Sequence, residues 1–280
     1  MAKNTHKFDS RQQMSKKTFE IFHYKDAKAQ SVNIHHHDFY EMYYFLGGDV
    51  TYLIEGEKYK LNVGDLVFIN PMELHQPIVD SGSVYERFVL WIDRSFLSSL
   101  SDKNMDFASC FKEAKNRHVN VFHTSIMKRG DIYSLLENIA REAYSDHVGH
   151  EKYSEALLTI LLCEVSRIID AGNQMPTVTQ QPNLISRVTD YINNHYAEDL
   201  SLDALANRFF VNKYYLSHEF SEQLGIGLNR YITLKRLSIA KELLSNGIPA
   251  GEVATKCGFR NYTTFYRLFK LEYDTSPSNF

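Results

Sequence analysis

Three patterns are missing from this sequence: paired cysteines, long apolar runs and a strong excess of one charge. The three cysteines, Cys110, Cys163 and Cys257, are too few and too far apart for a disulfide framework or a zinc knuckle, which favours a reducing compartment. The apolar run ALLTILLC, which ends before Glu164, is too short to span a bilayer. The first residues, MAKNTHKFDSRQQ, lack the apolar core of a signal peptide. We therefore expect a cytoplasmic protein with no membrane partner.

The net charge of −3 gives no sign of nucleic acid, so any basic surface must be local. With 280 residues, 44% of them hydrophobic, the chain is long enough for two domains with apolar cores. Residues 171–182, AGNQMPTVTQQP, contain two prolines and a glycine but no periodicity, which is typical of a linker. The sequence thus predicts a multidomain protein, with one domain at 1–170 and a second at 183–280.

From about Phe19 to Trp91, short apolar runs alternate with turn signals such as GG, EG and NP. The runs are FEIFHY, EMYYFL, DVTYLI, EKYKL, DLVFIN and YERFVLWI. Short strands at such regular spacing predict a compact antiparallel barrel or sandwich.

From about Arg129 the apolar residues recur at helical spacing, and they do so again after a break at HVGHE. They are Ile132, Leu135, Leu136 and Ile139 in the first stretch, and Tyr153, Leu157, Ile160, Leu161, Val165 and Ile168 in the second. This spacing predicts two amphipathic helices. The two helices either pack on the sheet of the same chain or form a dimer interface.

The segment 183–280 is predicted to be helical throughout, and it contains the same unit twice. The aligned pairs are Leu205-Ala206 with Val253-Ala254, Phe209 with Cys257, Val211 with Phe259, Leu216 with Phe265, and Phe220 with Phe269. Each unit has a small alanine, a tight connection, a capping asparagine (Asn212 or Asn261) and then apolar residues four apart.

This unit is the pattern of a helix-turn-helix, whose second helix enters a DNA major groove. A plain helical hairpin is the alternative for a single copy, and the repetition favours DNA binding. Between the two copies, residues 228–247, LNRYITLKRLSIAKELLSNG, predict a long helix that holds the two reading helices at a fixed distance.

The segment resembles the DNA-binding domain of the AraC/XylS family of transcription regulators. The resemblance runs from DLSLDALA through YLSHEF to the end of the chain, and its most specific part is GF-x5-F-x3-FK: Gly258, Phe259, Phe265, Phe269 and Lys270, followed by Pro277. Phe210 and Asp274 stand where the family usually has glycine. A bulky residue in a left-handed conformation costs roughly 1 kcal/mol, so Phe210 is expected to distort the first turn, whereas aspartate tolerates such a position.

The resemblance implies DNA-contacting residues on both reading helices. On the first helix they are Asn212, Lys213, Tyr214, Ser217 and His218. On the second they are Asn261, Tyr262, Thr263, Tyr266 and Arg267, with Arg260 and Lys270 suited to phosphates. Arg267 is the candidate for a bidentate contact to guanine. Glu219 and Glu222 make the first helix acidic, so the two helices are expected to contribute unequally.

HHHDFYEMYYFLGG and EGEKYKLNVGDLVFINPMELH resemble the cupin-like sensor domain of the same family. Cupin enzymes hold a metal with three histidines and a glutamate, and His35, His37, Glu41 and His75 match that pattern. The second motif lacks the glycine that cupin enzymes usually have between proline and histidine. Regulators of the family keep these positions without catalysis. We therefore expect a ligand-binding pocket in place of a metal site. We expect no enzyme activity, no cofactor and no bound metal.

Strand alternation puts Glu41, Tyr43 and Phe45 on one face, with Met42 and Tyr44 on the other. Tyr85, Arg87, Val89 and Trp91 share a face by the same rule. The predicted ligand-binding residues are His37, Glu41, Tyr43, His75 and Arg87. A carboxylate and imidazoles near aromatic rings suit sugar hydroxyls, and the resemblance implies a sugar or similar metabolite. Arg87 would suit an acid instead.

Taken together, the resemblance implies an all-β cupin-like barrel with two helices, followed by an all-α domain with two helix-turn-helix units joined by a long helix. It implies a ligand-responsive transcription activator that forms a homodimer through residues 130–169, binds double-stranded DNA at promoter half-sites and contacts RNA polymerase. Three alternatives stay open: a metal-dependent cupin enzyme, a regulator whose effector is a metal ion, and a constitutive DNA-binding protein whose barrel only dimerises.

Overall fold

The computed structural model describes residues 6, 12–27, 32–80, 82, 84–117, 119–124, 126–170 and 183–280, without the side chains of 126–128. The chain divides into two compact units, Met1–Thr179 and Gln180–Phe280. The predicted linker, residues 171–182, lies outside the described residues and stays a prediction. No helix among the described residues is long and apolar enough to cross a membrane.

The described residues of the first unit form eight strands in two antiparallel sheets. The strands are β1 (Phe19–Asp26), β2 (Tyr40–Gly47), β3 (Val50–Ile54), β4 (Glu57–Lys60), β5 (Asp65–Ile69), β6 (His75–Val79), β7 (Tyr85–Ile92) and β8 (Val121–His123). The larger sheet has the order β1-β7-β2-β5-β8, and the smaller has the order β4-β3-β6. The predicted all-β architecture, with all six predicted strands, is confirmed.

Alternate residues of β2 face opposite sides of the larger sheet, as predicted. Met42 and Tyr44 are buried against the helices of this unit. Tyr43 and Phe45 are buried between the two sheets, in a cluster that also contains Tyr52 of the smaller sheet. The unit therefore has two apolar cores, and the space between the sheets is the interior of the barrel.

Four helices follow among the described residues: α1 (Arg94–Leu100), α2 (Ser109–Arg117), α3 (Ile126–Ala143) and α4 (His150–Asp170). α3 and α4 are the two predicted amphipathic helices, and they cover the outer face of the larger sheet. α1, α2, β6 and β8 were not predicted. β6 contains Pro77, which interrupts the strand pattern but is tolerated because β6 is an edge strand whose only neighbour among the strands of the smaller sheet is β3.

Residues 183–280, all of them described, form six helices. They are α5 (Leu184–Asn194), α6 (Leu202–Arg208), α7 (Lys213–Leu224), α8 (Leu228–Ser245), α9 (Ala250–Lys256) and α10 (Tyr262–Tyr273). α6 with α7 and α9 with α10 are the two predicted helix-turn-helix units, and α8 is the predicted connecting helix. At 1.5 Å per residue, α8 is about 27 Å long.

The two turns have the same backbone hydrogen bonds, which confirms the sequence repeat. In the first, the Val211 N–H donates to the Ala206 carbonyl at 3.0 Å, and in the second the Phe259 N–H donates to the Ala254 carbonyl at 3.0 Å. Phe210 adopts a left-handed φ of +55°. The expectation that it distorts the first turn is wrong, because this turn keeps the same hydrogen bond as the second.

The surroundings explain why the first turn tolerates phenylalanine. The Phe210 side chain is 95% exposed, so nothing obstructs it. At the matching Gly258, φ is +76°, and an added Cβ would lie 2.7 Å from the Ala197 carbonyl oxygen. Asp274 ends α10 at φ +55°, as its tolerance for this conformation predicts.

Candidate functional site

A cavity lies inside the barrel, between the two sheets. It is lined by Gln12, Tyr24, Asp26, Val32, His35, Glu41, Tyr43, Tyr52, Pro77, Tyr85, Arg87, Val89 and Trp91. Its volume is about 50 Å³, whereas pockets for drug-sized ligands have roughly 300–1,000 Å³. The barrel in this conformation therefore has room for an ion or a few waters, and a sugar would need side chains to move.

Two buried histidines at one end of the barrel are held in the same tautomer. His37 Nδ1 lies 3.0 Å from the Phe39 carbonyl oxygen, and His75 Nδ1 lies 2.8 Å from the Glu73 carbonyl oxygen. A carbonyl oxygen only accepts, so each Nδ1 carries a proton and donates it. With Nδ1 committed in this way, each ring has only Nε2 left for a second contact.

Glu41 lies beside these Nε2 atoms. Its carboxylate is 3.3 Å from His37 Nε2 and accepts hydrogen bonds from Trp91 Nε1 at 2.8 Å and from the Tyr52 hydroxyl at 3.3 Å. Burial alone would raise the pKa of Glu41, but the hydrogen bond and charge of His37, with smaller contributions from His35 and Trp91, lower it overall. Glu41 is thus a buried carboxylate that stays ionised.

The ligand atoms of His37, Glu41 and His75 all lie within 4.8 Å of one another. Burial, with the nearby imidazoles of His35 and His37, holds the pKa of His75 well below its ordinary value, and its Nε2 has no hydrogen-bond partner among the described residues. Two imidazole nitrogens and a carboxylate are a donor set that divalent transition metals accept when the nitrogens are unprotonated. These three residues fit a metal ion.

His35, the fourth predicted metal candidate, does not join this group. Its backbone pairs with that of His75, but its Nδ1 lies 2.8 Å from the Asn33 carbonyl oxygen. Burial, followed by the charge of His37, lowers the pKa of His35 to about 4. His37 and His75 make the same kind of Nδ1 contact, so it is the ligand-atom distances that reduce the predicted set of four to His37, Glu41 and His75.

The other end of the cavity is closed by contacts between its own polar groups. The Arg87 guanidinium forms an ion pair with Asp26 and lies over the ring of Tyr85, 3.9 Å from its centroid. The Tyr43 hydroxyl donates to the Tyr85 hydroxyl. Burial, which outweighs the opposing effect of Arg87, raises the pKa of Tyr85 to about 12, so it stays protonated. Because Asp26 already balances the charge of Arg87, the arginine is not a ready site for an acid.

Sequence reasoning missed Tyr52 and Asp26 as pocket residues. Tyr52 lies in a predicted strand, and its alternation with Thr51 could have placed it inside the barrel. Asp26 lies opposite Tyr85 in the pairing of β1 with β7, a register that sequence spacing does not reveal.

In the second unit, α10 presents all of its predicted DNA-contacting residues at the surface. The exposed residues are Arg260, Asn261, Tyr262, Thr263, Tyr266, Arg267 and Lys270. Phe265 and Phe269 of the same helix are fully buried, which fixes the face that it turns outward. Within the described part of the chain, Arg267 forms no ion pair. Its guanidinium is therefore available at the centre of the exposed face.

α7 presents its predicted residues less completely. Asn212, Tyr214 and His218 are exposed, whereas Lys213 and Ser217 are half-buried. Lys213 is engaged by Asp203, whose carboxylate lies 2.8 Å from its ammonium nitrogen.

The two predicted asparagines have a structural task at the helix starts. The Asn212 side-chain oxygen accepts from the Tyr214 N–H at 2.9 Å, and that of Asn261 accepts from the Thr264 N–H at 2.8 Å. Both side chains cap their helices, so their oxygens are committed before any DNA arrives.

A stripe of apolar side chains runs along the outer side of α4. Tyr153 is 58% exposed and Ile160 is 50% exposed, whereas Leu157 and Cys163 are half-buried and also pack against the core of this unit. Their spacing places them on one face of the helix. We call these four residues the α4 stripe.

Comparisons with known proteins agree with both units. Residues 20–162 match the AraC-like ligand binding domain, and residues 205–280 match a helix-turn-helix domain. YijO of Escherichia coli K12, an uncharacterized HTH-type transcriptional regulator, is 36% identical over 110 residues, which cover 39% of this chain and 39% of YijO.

Two other relatives match over most of their length. The HTH-type transcriptional activator RhaS of Citrobacter koseri is 22% identical over 244 residues, covering 87% of this chain and 85% of RhaS. YbfI of Bacillus subtilis, an uncharacterized HTH-type transcriptional regulator, is 24% identical over 242 residues, which cover 86% of this chain and 83% of YbfI. Among solved structures, apo ToxT from Vibrio cholerae covers 95% of this chain and 98% of its own, with a TM-score of 0.40 and 16% identity.

Proposed function

The chain belongs to the AraC family of DNA-binding transcription regulators, and we propose that it activates transcription in response to a small molecule bound in its barrel. The observation that carries the DNA-binding part is the fully exposed face of α10. The activator role is supported by RhaS, which is named a transcriptional activator. We infer no catalytic role, because the matched relatives are regulators.

α10 is proposed as the main reading helix. Arg267 lies at the centre of its exposed face, where a guanidinium can donate two hydrogen bonds to guanine O6 and N7. Lys270, one turn further along the same face, and Arg260, just before the helix, are placed for phosphates. α7 is proposed as the weaker reader, because Lys213 is held by Asp203.

The barrel is proposed as the sensor. Its cavity combines buried polar groups with aromatic walls, which is the composition of small-molecule sites. A sugar or similar metabolite would need the Tyr43–Tyr85 hydrogen bond and the Arg87–Asp26 ion pair to open. Such an effector changes DNA binding only by the difference in its affinity for the closed and the open barrel.

A homodimer is proposed to form through the α4 stripe. An apolar stripe on one face of a 21-residue helix suits a parallel or antiparallel copy of itself. A dimer would bring four reading helices to two promoter half-sites. Contact with RNA polymerase would follow from binding beside the promoter.

Selection of DNA from a random pool by the purified full-length chain tests the DNA-binding proposal. We expect enrichment of a consensus with two half-sites, and a pool that stays random after repeated rounds would contradict it.

Thermal-shift screening against a metabolite library tests the sensor. A stabilising sugar or related metabolite whose effect is lost in Tyr85→Phe is expected. If no compound stabilises the protein and DNA binding needs none, the constitutive alternative is favoured.

A further inference from the structure

The loop between α5 and α6, residues 195–201, lies against the turn of the second helix-turn-helix. Its Ala197 is so close to Gly258 that a Cβ added to the glycine would lie 2.7 Å from the Ala197 carbonyl oxygen. At its other end the loop supplies Ser201, whose hydroxyl oxygen caps α6 by accepting from the Ala204 N–H at 3.3 Å. The loop therefore connects the start of the first helix-turn-helix with the turn of the second.

Arg236 of α8 contacts both this loop and the second turn. Its Nε donates to the Tyr196 carbonyl at 2.7 Å, and its Nη2 donates to the Glu198 carbonyl at 2.8 Å. These two carbonyls belong to the neighbours of Ala197. The guanidinium carbon also lies 6.0 Å from the centroid of the Phe259 ring, in the second turn. One half-buried side chain thus joins the connecting helix, the loop and the turn.

The two hydrogen bonds of Arg236 fix the orientation of the loop as well as its distance from α8. A guanidinium is planar and its donors point in fixed directions, so two simultaneous bonds leave the loop little freedom to rotate. Hydrogen bonds from a charged donor are roughly twice as strong as those between neutral groups. Arg236 is therefore suited to hold the two helix-turn-helix units at one angle.

The loop is tied at both of its ends, so a restraint at its middle reaches the helices on either side. The Glu198 carboxylate accepts from the Tyr191 hydroxyl at 2.8 Å and lies 2.8 Å from His195 Nδ1, which ties it to α5. The Asp199 carboxylate accepts from the Ser201 N–H at 3.0 Å, directly before α6. The position of the loop is therefore passed on to α6 and to the reading helix α7.

We propose that Arg236 is a positioning residue that holds the loop between α5 and α6 against the second turn, so that α7 and α10 bind DNA as one rigid pair. The consequence is a single permitted spacing between the two blocks of bases that α7 and α10 recognise in one half-site. This inference rests on the proposed DNA-binding function.

The spacing of the two blocks reveals whether the pair is rigid. Two reading helices on one side of B-DNA occupy successive major grooves, about 34 Å apart. One extra base pair between the blocks moves the second block by about 3.4 Å and turns it by roughly 35°. A rigid pair must then give up base contacts at one block, whereas a pair with a loose joint can follow the DNA.

A purely structural role for Arg236 predicts a different result. Loss of stability lowers the folded fraction of the protein, and this reduces the affinity for every DNA by the same factor. The ratio of the affinities for two DNA duplexes is then unchanged. A change in this ratio therefore separates positioning from stabilisation.

The test measures, by fluorescence anisotropy, the affinity of the full-length protein for two duplexes. One carries a single selected half-site, and the other has one base pair inserted midway between its two blocks. Because one good base contact is worth roughly 5- to 150-fold in affinity, the wild-type protein should prefer the unaltered half-site at least about 30-fold. Arg236→Met, which keeps an apolar stem but donates no hydrogen bond, should lower this preference below about fivefold. Arg236→Lys, whose ammonium can reach one carbonyl, should give an intermediate preference.

Arg230→Met is the matched control. It removes an arginine from the same helix, whose guanidinium pairs with Glu272 at 2.7 Å, and so removes the same charge. Exposed ion pairs contribute little, so the spacing preference should stay within about threefold of the wild-type value. Circular dichroism establishes that each variant is folded, and if Arg236→Met is not folded, Arg236→Lys supplies the comparison.

The outcomes distinguish this inference from the proposed function. A spacing preference that is equal in the wild type and in the folded Arg236 variants, or an equal loss of preference in Arg230→Met, would overturn the positioning role. A wild-type protein that binds both duplexes equally well would overturn it too. Absence of wild-type binding to any selected duplex would contradict the proposed function instead.

Discussion

Gly258 is required in the turn of the second helix-turn-helix for two separate physical reasons. Its φ of +76° is left-handed, which costs an L side chain roughly 1–2 kcal/mol. An added Cβ would also lie 2.7 Å from the Ala197 carbonyl oxygen and 2.8 Å from its Cα, so the backbone would have to shift. Gly225 and Gly247 have φ of +70° and +80°, but no neighbouring atom would lie within 4 Å of a Cβ added to either of them.

These three glycines form a matched series. Gly225→Ala and Gly247→Ala are expected to lower the free energy of unfolding of the helical unit by roughly 1 kcal/mol each, from conformation alone. Gly258→Ala adds the clash with Ala197, for which overpacking typically costs about 1–3 kcal/mol. We therefore expect a total of about 2–4 kcal/mol for Gly258→Ala.

Urea denaturation of the full-length chain, followed by far-ultraviolet circular dichroism, measures these losses. The fluorescence of Trp91 reports the barrel separately and should keep its wild-type midpoint in all three variants. A Gly258→Ala variant no less stable than Gly225→Ala would refute the clash. A shift of the Trp91 midpoint would mean that the substitution acts elsewhere.

Three further outcomes are expected. Lys270→Ala should reduce the slope of the logarithm of the DNA-binding constant against the logarithm of salt concentration by about one, because one phosphate contact is lost. Lys256→Ala should leave this slope unchanged, because Lys256 is paired with Glu252. Ile160→Glu should shift the protein from dimer to monomer in sedimentation, whereas Val148→Glu, at a fully exposed position off the α4 stripe, should leave the dimer intact. Iodoacetamide at neutral pH should label Cys163 before Cys110 and Cys257, because burial raises the pKa of the Cys110 and Cys257 thiols to about 12. Dimerisation should slow the labelling of Cys163. Equal labelling of all three cysteines would contradict this order.

The helical unit could be predicted from sequence because its signals are local and repeated. The Ala206 and Ala254 turns recur with the same capping asparagine and the same apolar spacing, and each feature is read within about ten residues. The expectation for Phe210 failed because the cost of its left-handed conformation does not distort the turn when the side chain meets no obstacle, and this turn is open where the Gly258 turn is closed by Ala197.

The barrel was predicted less completely because its decisive contacts join distant segments. Strand alternation placed Tyr43 and Arg87 inside, but it did not reveal that Asp26 neutralises the arginine or that the remaining volume is about 50 Å³. The four-residue metal pattern came from the resemblance to cupin enzymes. His35 is separated from the other three residues by distance, because only the ligand atoms of His37, Glu41 and His75 all lie within 4.8 Å of one another.

The central claim, that this chain reads DNA with the exposed face of α10, is tested most directly by one variant. The affinities of wild-type protein and Arg267→Ala are measured by fluorescence anisotropy on the selected DNA site and on a scrambled site, with Lys256→Ala as the control that removes the same charge away from the face. Loss of a bidentate guanine contact should reduce discrimination between the two sites by about 1–3 kcal/mol, roughly 5- to 150-fold, with circular dichroism unchanged. Discrimination equal to that of the wild type and of Lys256→Ala would contradict the account.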